Sequence, residues 1–285
     1  MDFKRPSRQV EVVTPGPDGA LNFAPSEKER IARRLNSRID AALQAEVEKE
    51  KVRGYLGGSR LGLECDRRLA FEYQFQAEAH RRQRLGESLP TKFPGRLIRR
   101  FRMGNWCEEE VAQWLLMAGV ALDTVDKDGK QFGWSTYYSE AAGRDIIAGH
   151  IDGIICDDAG IGFPTPCLWE NKVMKASIWR AFVKHGLAET QPVYYGQVQV
   201  YMAYQSLADG VDYENTLFTA MNADTSELAV EVVPYNARAA QAASDRGVRV
   251  VEARSPADLA RIATSRDSFA CKFCDFKDDC WSMPQ

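Results

Sequence analysis

Two apolar runs with charged side chains set inside them constrain this chain more than any other feature. The first, IAGHIDGIICDD, places Asp152 among Ile146, Ile147, Ile151, Ile154 and Ile155. The second, CLWENKV, carries Glu170 and Lys172. Short β-branched runs bounded by turn residues read as buried strands, here over 145–156 and 167–173. A carboxylate in such a strand is costly unless a partner or a cation compensates it. Glu170 and Lys172 lie two apart, and strand alternation puts both on one face. If the two strands are hairpin neighbours, Asp152, Glu170 and Lys172 converge at one end of a sheet.

That trio has a chemical use. Hard oxygen ligands suit Mg²⁺ or Mn²⁺, and Mg²⁺ takes one or two protein carboxylates and fills its shell with water and substrate phosphate. A bound cation lowers the pKa of water and offsets charge building up on a phosphate. A neighbouring lysine can orient or deprotonate the attacking water. The bare pattern is short, and an acid-x-lysine pair also occurs as a surface ion pair.

The surrounding sequence supplies elements for an α/β fold. Ser26 followed by Glu29 makes a capping box, and Ile31, Leu35, Ile39 and Leu43 continue as an amphipathic helix to about residue 53. A helix is expected over 64–83 and another through GNWCEEEVAQWLLMAGV, ended by Gly119. A strand over 133–140 precedes the two acid-bearing runs. Beyond them come the helix YYGQVQVYMAYQSL, strands over 215–222 and 228–234, a helix over 237–246 and a short one over 256–263. This order predicts a mixed sheet flanked by helices. Residues 1–25, with Pro15, Gly16, Pro17 and Gly19, read as an extended leader.

Net charge is −3, which excludes a uniformly polycationic nucleic-acid coat. Between Arg81 and Arg102, however, eight basic residues meet one acid, Glu87. Such a segment suits a phosphate backbone, or else forms a solvated helix face and loop. No apolar run reaches the ~20 residues of a membrane span, and the N-terminus lacks a secretory signal, so a cytoplasmic setting is expected. Seven cysteines are present. Cys107, Cys156 and Cys167 sit among apolar residues and read as small buried side chains. Cys271, Cys274 and Cys280 form Cys-x2-Cys-x5-Cys, which in a reducing compartment indicates a metal. Cys65 is the candidate fourth ligand, and Phe273, Phe276 and Trp281 are expected to pack around the site. Thiolates hold either zinc or a [4Fe–4S] cluster, and spacing does not separate the two.

Four motifs in order give the chain a family resemblance: Gly104-Asn105-Trp106-Cys107-Glu108, the GHIDG run with Asp152, Glu170-Asn171-Lys172, and Gln197-x3-Tyr201 preceded by Tyr194 and Tyr195. The set resembles the PD-(D/E)XK nuclease superfamily, in particular its RecB-like branch, which pairs one early cysteine with a C-terminal Cys-x2-Cys-x5-Cys. The resemblance covers roughly residues 55–285 as a single nuclease domain, leaving 1–54 as leader and charged helix. It implies a restriction-endonuclease-like mixed sheet with flanking helices and an iron–sulfur clasp. It further implies that Asp152 and Glu170 ligate Mg²⁺ or Mn²⁺ with the backbone carbonyl of Asn171, that Glu108 is a further ligand, and that Lys172 assists the water. Gln197 and Tyr201 would position Lys172 or the phosphate. His150, two residues from Asp152 and so on the same strand face, is either near the metal or structural. Arg96, Arg99, Arg100, Arg102 and Lys175 would hold DNA. The implied activity is deoxyribonuclease, most simply an exonuclease on single strands or duplex ends, in viral recombination, replication or repair. The chain has no GxxxxGK[ST], so processing would depend on a partner, such as a helicase or recombination protein, or on ends already available. Two other readings stay open: a nucleic-acid-binding module of this fold without catalysis, and a zinc-stabilised structural protein.

Overall fold

The computed structural model describes residues 26–87 and 94–284. The leader over 1–25 and Lys92 of the basic segment therefore lie outside the described residues. The described residues divide into two compact units, one of 26–50 with 94–98 and the other of 51–87 with 99–284.

In the first unit the capping box forms as the sequence predicts. Ser26 accepts from the Glu29 amide at 3.3 Å, and the Glu29 carboxylate accepts from the Ser26 amide at 2.8 Å. Helix α1 then runs Glu27–Val47, ending earlier than expected. Its Ile31 and Leu35 remain more than half exposed, so the stripe that predicts a helix is not buried by it.

The second unit follows a longer element order. A short strand β1 (Leu56–Gly57) and a 3-10 turn (Gly58–Arg60) lead to α2 (Asp66–Arg84) and to α3 (Gly95–Met117), of which residues 99–117 belong to this unit. Strands β2 (Ala121–Asp123), β3 (Gly133–Ser139), β4 (Arg144–His150), β5 (Gly153–Asp157) and β6 (Cys167–Met174) follow. After them come α4 (Ala176–His185), α5 (Leu187–Thr190), α6 (Pro192–Asp209), β7 (Asn215–Asn222), β8 (Leu228–Pro234) and α7 (Ala237–Glu252). The chain closes with a 3-10 turn at Pro256–Asp258, α8 (Phe269–Lys272) and α9 (Lys277–Ser282).

The α/β class is as expected, with two mixed sheets in place of one. A five-stranded sheet runs β2-β5-β6-β7-β8, in which β6 and β7 are parallel and the other neighbours antiparallel. A three-stranded sheet runs β1-β4-β3. The single strand expected over 145–156 is therefore two strands in two sheets. The chain leaves one sheet at His150 and enters the other at Gly153, so Asp152 stands in the break, not inside a strand. Apolar content alone could not reveal this, because Ile151 is fully buried in the break as well. Elsewhere α3 begins at Gly95 and absorbs much of the basic segment, while only Pro256–Asp258 of the expected 256–263 helix forms. Strand β2 and helices α4 and α5 have no counterpart among the expected elements.

Alternation along β6 sorts its side chains between layers. Cys167, Trp169 and Val173 pack with Cys107 and Val111 of α3, whereas Leu168 and Met174 join the cores that hold Val200 and Val198 of α6. Glu170 and Lys172 share the α6 side. Helix α6 seats unusually close to the turn before α2: a Cβ on Gly62 would lie 2.2 Å from the Val193 carbonyl oxygen, and one on Gly196 would lie 2.5 Å from Gly62 Cα. Two glycines thus set the depth of the helix that carries Gln197 and Tyr201. Gly196→Ala should destabilise the protein by about 1–3 kcal/mol through overpacking, although alanine is the better helix former by about 1 kcal/mol. Urea denaturation monitored by circular dichroism checks this; an unchanged midpoint would refute the contact.

Candidate active site and thiol cluster

The β5–β6 pairing, with Gly153 opposite Trp169, carries the break residue Asp152 to the level of Glu170 and Asn171. Asp152 Oδ2 accepts a hydrogen bond from the Asn171 amide at 2.8 Å. Lys172 Nζ lies 3.9 Å from the same oxygen, donates to the Asn171 carbonyl at 2.9 Å and contacts Glu170 Oε1. The three side chains expected to converge do converge. Glu170 is 2% exposed, and its second oxygen, Oε2, is buried with no hydrogen-bond partner.

Helix α6 completes one wall. Gln197 Nε2 donates to Glu170 Oε1, and Tyr201, one turn on, is buried edge-on against Trp134 with ring centroids 5.8 Å apart. Tyr194 adds its ring face 5.7 Å from Lys172 Nζ. Helix α3 contributes Glu108, whose charged neighbours are Asp152 and Lys172. Of Glu108, Glu109 and Glu110, Glu108 is the one whose charge meets Asp152, Lys172 and Glu170.

Charge governs the chemistry here. Burial, then Asp152, pushes Glu108 from 4.5 to about 7, against the pull of Lys172. Burial and the same carboxylate raise Glu170, and burial raises Asp152. Burial by itself would lower Lys172, yet Glu170 and Asp152 carry it above the ordinary lysine range. Three acids thus share one ammonium ion, and the cluster is short of positive charge. Burial also raises the Tyr201 phenol, which stays protonated as a donor.

Other expected residues lie apart. His150 ends β4, exposed, and its charged neighbour is Arg53, not an acid. The strand breaks after His150, so alternation does not carry it to the face of Asp152. Arg53 also acts on Tyr201, and no motif or periodicity marks it in the sequence. Arg100 and Arg102 are exposed on α3, Arg99 is half-buried there, and Arg96 belongs to the first unit. Lys175 is exposed at the start of α4.

The four cysteines meet far from their order in sequence. Cys65, Cys271, Cys274 and Cys280 line one small cavity with Arg68, Phe71, Arg261, Phe276 and Trp281. All four are free thiols, and Cys65 and Cys271 are among the groups acting on Cys274. Cys65 is also the N-cap of α2, accepting from the Arg68 amide at 3.4 Å. Phe276 stacks on Phe71 at 5.2 Å as the packing expectation requires, but Phe273 is 71% exposed and takes no part in it. Cys156, expected to be buried, is exposed. Arg67, fully buried, binds the tail by donating to the carbonyls of Leu259 at 2.7 Å, Ala257 at 2.9 Å and Pro284 at 3.3 Å. An arginine in a charged helix start gives no sequence sign of that role.

Among the described residues, no group of three or more His, Cys, Asp or Glu side chains is already arranged to hold a metal ion. In the acid cluster Lys172 supplies the positive charge. The donor set still suits a hard divalent cation: carboxylates in excess over ammonium, an orphaned buried Glu170 oxygen, and the Asn171 carbonyl alongside. The four thiols, none of them in a disulfide, likewise suit a soft metal.

No family model matches the chain, and no curated protein does. Among solved structures, SSO0001 aligns over 90% of this chain and 98% of that one, at 15% identity and TM-score 0.45. An alkaline exonuclease, LHK-Exo from Laribacter hongkongensis, aligns over 75% of this chain and 92% of its own, at 15% identity and TM-score 0.41. Its complex with dAMP gives 75% and 90%, at 14% identity and TM-score 0.42. At this distance the likeness assigns no function. Among the described residues no helix is long and apolar enough to cross a membrane.

The raised Glu108 fixes a pH dependence for the metal-free protein. Below pH 4.5 the group is neutral in both states; between 4.5 and about 7 the unfolded chain loses the proton while the folded one keeps it. Stability should therefore fall as pH rises through that window. Glu108→Gln removes this contribution and leaves a shallower slope. Urea midpoints in EDTA from pH 5 to 8 test it, and parallel profiles for the two proteins would contradict the burial of this carboxyl.

Proposed function

We propose that the chain is a metal-dependent deoxyribonuclease of the PD-(D/E)XK type, acting most simply as an exonuclease. One observation carries the proposal: Asp152, Glu170 and Lys172 gather at a strand break, with Glu108 facing them and a buried Glu170 oxygen lacking a partner. A buried acid cluster of this kind is expensive for the fold, which is the ordinary mark of a site retained for chemistry.

Asp152, Glu170, Glu108 and the Asn171 carbonyl would hold Mg²⁺ or Mn²⁺, which supplies an acidified water and charge compensation at phosphate. The residues of the chain do the rest. Lys172, kept protonated by its acids, orients the attacking water as a hydrogen-bond donor. Gln197 fixes the Glu170 carboxylate, and the Tyr201 phenol donates nearby without ionising. Water adds to phosphorus, the bridging P–O bond breaks, and the departing oxygen takes a proton, giving a phosphate monoester and a hydroxyl end. DNA is the substrate in this reading, with Arg100, Arg102 and Lys175 exposed to its backbone.

Lys172→Ala should lower cleavage of end-labelled oligonucleotides in Mg²⁺ or Mn²⁺ by about 10²–10⁴-fold while leaving DNA affinity nearly intact. Gel assays on single- and double-stranded substrates, each blocked at one end, read the loss and the direction of digestion. Wild-type protein that binds DNA but never cuts it would point to a binding module.

The thiol cluster is proposed as a [4Fe–4S] site, with zinc as the alternative. A centre there would join α2 to the C-terminal tail across 206 positions of sequence, restricting the unfolded chain as a long-loop cross-link does. Anaerobically purified protein should be brown with about four iron atoms per chain, and Cys271→Ser should lose both colour and iron. Colourless protein with one zinc would assign zinc instead.

A further inference from the structure

A carboxylate that none of the four sequence motifs contains stands between the thiol cavity and the acid cluster. Glu72 lies on α2, its side chain 19% exposed, and binds two guanidinium groups at once. Arg60 meets it as a fork, Nε to Oε2 and Nη2 to Oε1, both at 2.8 Å. Arg68, one turn earlier on α2, donates from Nε to Oε1 at 3.1 Å. A fork of this kind fixes orientation as well as distance. One acid thus serves two arginines, and each arginine leads to a different site.

Arg68 leads to the thiols. It lines their cavity, and its amide donates to Cys65 Sγ at 3.4 Å. Its charge also acts on Cys274. Four thiolates around Zn²⁺ or a [4Fe–4S]²⁺ core would carry a net charge of about −2, for which Arg68 is a counter-ion that Glu72 already shares. Arg60 leads to the acid cluster. It ends the 3-10 turn before Gly62, and Gly62 packs on the carbonyl of Val193, so the backbone brings it to the start of α6. Burial by itself would lower Arg60, yet Glu72 and then Tyr194 carry it above its ordinary value. Tyr194 in turn lays its ring 5.7 Å from Lys172 Nζ, within cation–π range. From sulfur to the Lys172 ammonium the path therefore runs through Arg68, Glu72, Arg60 and Tyr194.

We propose that Glu72 is a positioning residue shared by the two sites: it holds Arg60 against Tyr194, and so the ring against Lys172, while through Arg68 it makes that hold depend on the charge bound at the thiols. The effect on cleavage rests on the nuclease reading. Linkage of this kind is reciprocal, so a change at Glu72 reads out at both ends.

Full-length protein carrying Zn²⁺ at the thiols, a diamagnetic ion, gives two readouts that need no cleavage. The first is zinc affinity, measured by competition with a chromophoric chelator. Glu72→Gln leaves the Arg68 charge to the thiolates and should tighten zinc about 3- to 10-fold, whereas removal of a merely structural glutamate would weaken it. Arg60→Lys keeps the charge without the fork and should change zinc affinity by less than about twofold. The second readout is the ε-¹³C signal of Lys172, assigned with Lys172→Arg, which feels the ring current that Tyr194→Leu removes. Glu72→Gln and Arg60→Lys should both move this signal toward its place in Tyr194→Leu. Stripping zinc should move it in wild type but not in Glu72→Gln. On oligonucleotides, Glu72→Gln should lower kcat about 5- to 50-fold and change KM by less than about twofold. Weaker zinc in Glu72→Gln overturns the link, as does a Lys172 signal that stays in place or answers zinc equally in both proteins. Wild type that cleaves no DNA sinks the nuclease reading, while zinc affinity and the Lys172 signal still decide the link.

Discussion

A single half-buried ammonium ion holds this site together. Lys172 reaches back along β6 to Glu170, touches the Asn171 carbonyl and stands within 4 Å of Asp152. Without it, two nearly dry carboxylates would face each other across a strand break, a repulsion that burial would amplify. With it the arrangement holds, though it stays short of positive charge and pushes Glu108 towards neutral pKa. The fold thus tolerates an electrostatic deficit at one point, and other elements are built to keep that point rigid.

The rigidity comes from layers that meet at the break. Strand β6 is buried on both faces, Trp169 towards α3 and Leu168 towards α6, so the backbone bearing Glu170 and Lys172 cannot shift without disturbing both cores. Close seating of α6 through Gly62 and Gly196 brings Gln197 to Glu170. The switch from the three-stranded to the five-stranded sheet at residues 151 and 152 leaves Asp152 free of ladder pairing, and its carboxylate satisfies the Asn171 amide instead. Strain in geometry is unnecessary: each polar group of the site is turned inward by the topology.

The thiols depend on a different device. Arg67, buried at the start of α2, accounts for three carbonyls of the C-terminal segment, and Arg261 lies over Trp281 at 4.5 Å while donating to the Cys280 carbonyl at 2.9 Å. Arg67 thus ties the tail to α2, beside the Phe71–Phe276 stack, while Arg261 braces the tail internally. These contacts bring the four cysteines to the lining of one cavity.

Much of this was legible in the residues themselves. Apolar runs and periodic patterns marked β3, β6, β7, β8 and α6 closely, α7 was found but runs on to Glu252, and the capping box over Ser26 and Glu29 is a purely local interaction. The pairing of Glu170 with Lys172 follows from alternation, which needs only a strand. The division of 145–156 between two sheets was hidden, because an isoleucine buried in a bend and one buried in a strand look alike. His150 was misplaced with it, since alternation ends where the ladder does. Phe273 and Cys156, apolar by type, turned out exposed because composition does not say which neighbours arrive. Local sequence thus determined the elements and the kinds of ligand available. Only tertiary structure decided that Glu108 and Gln197 stand against Asp152 and Glu170 and that Arg53 lies near Tyr201 and His150, because long-range packing, which no window of sequence encodes, sets the places of α3, α6 and the linker before β1.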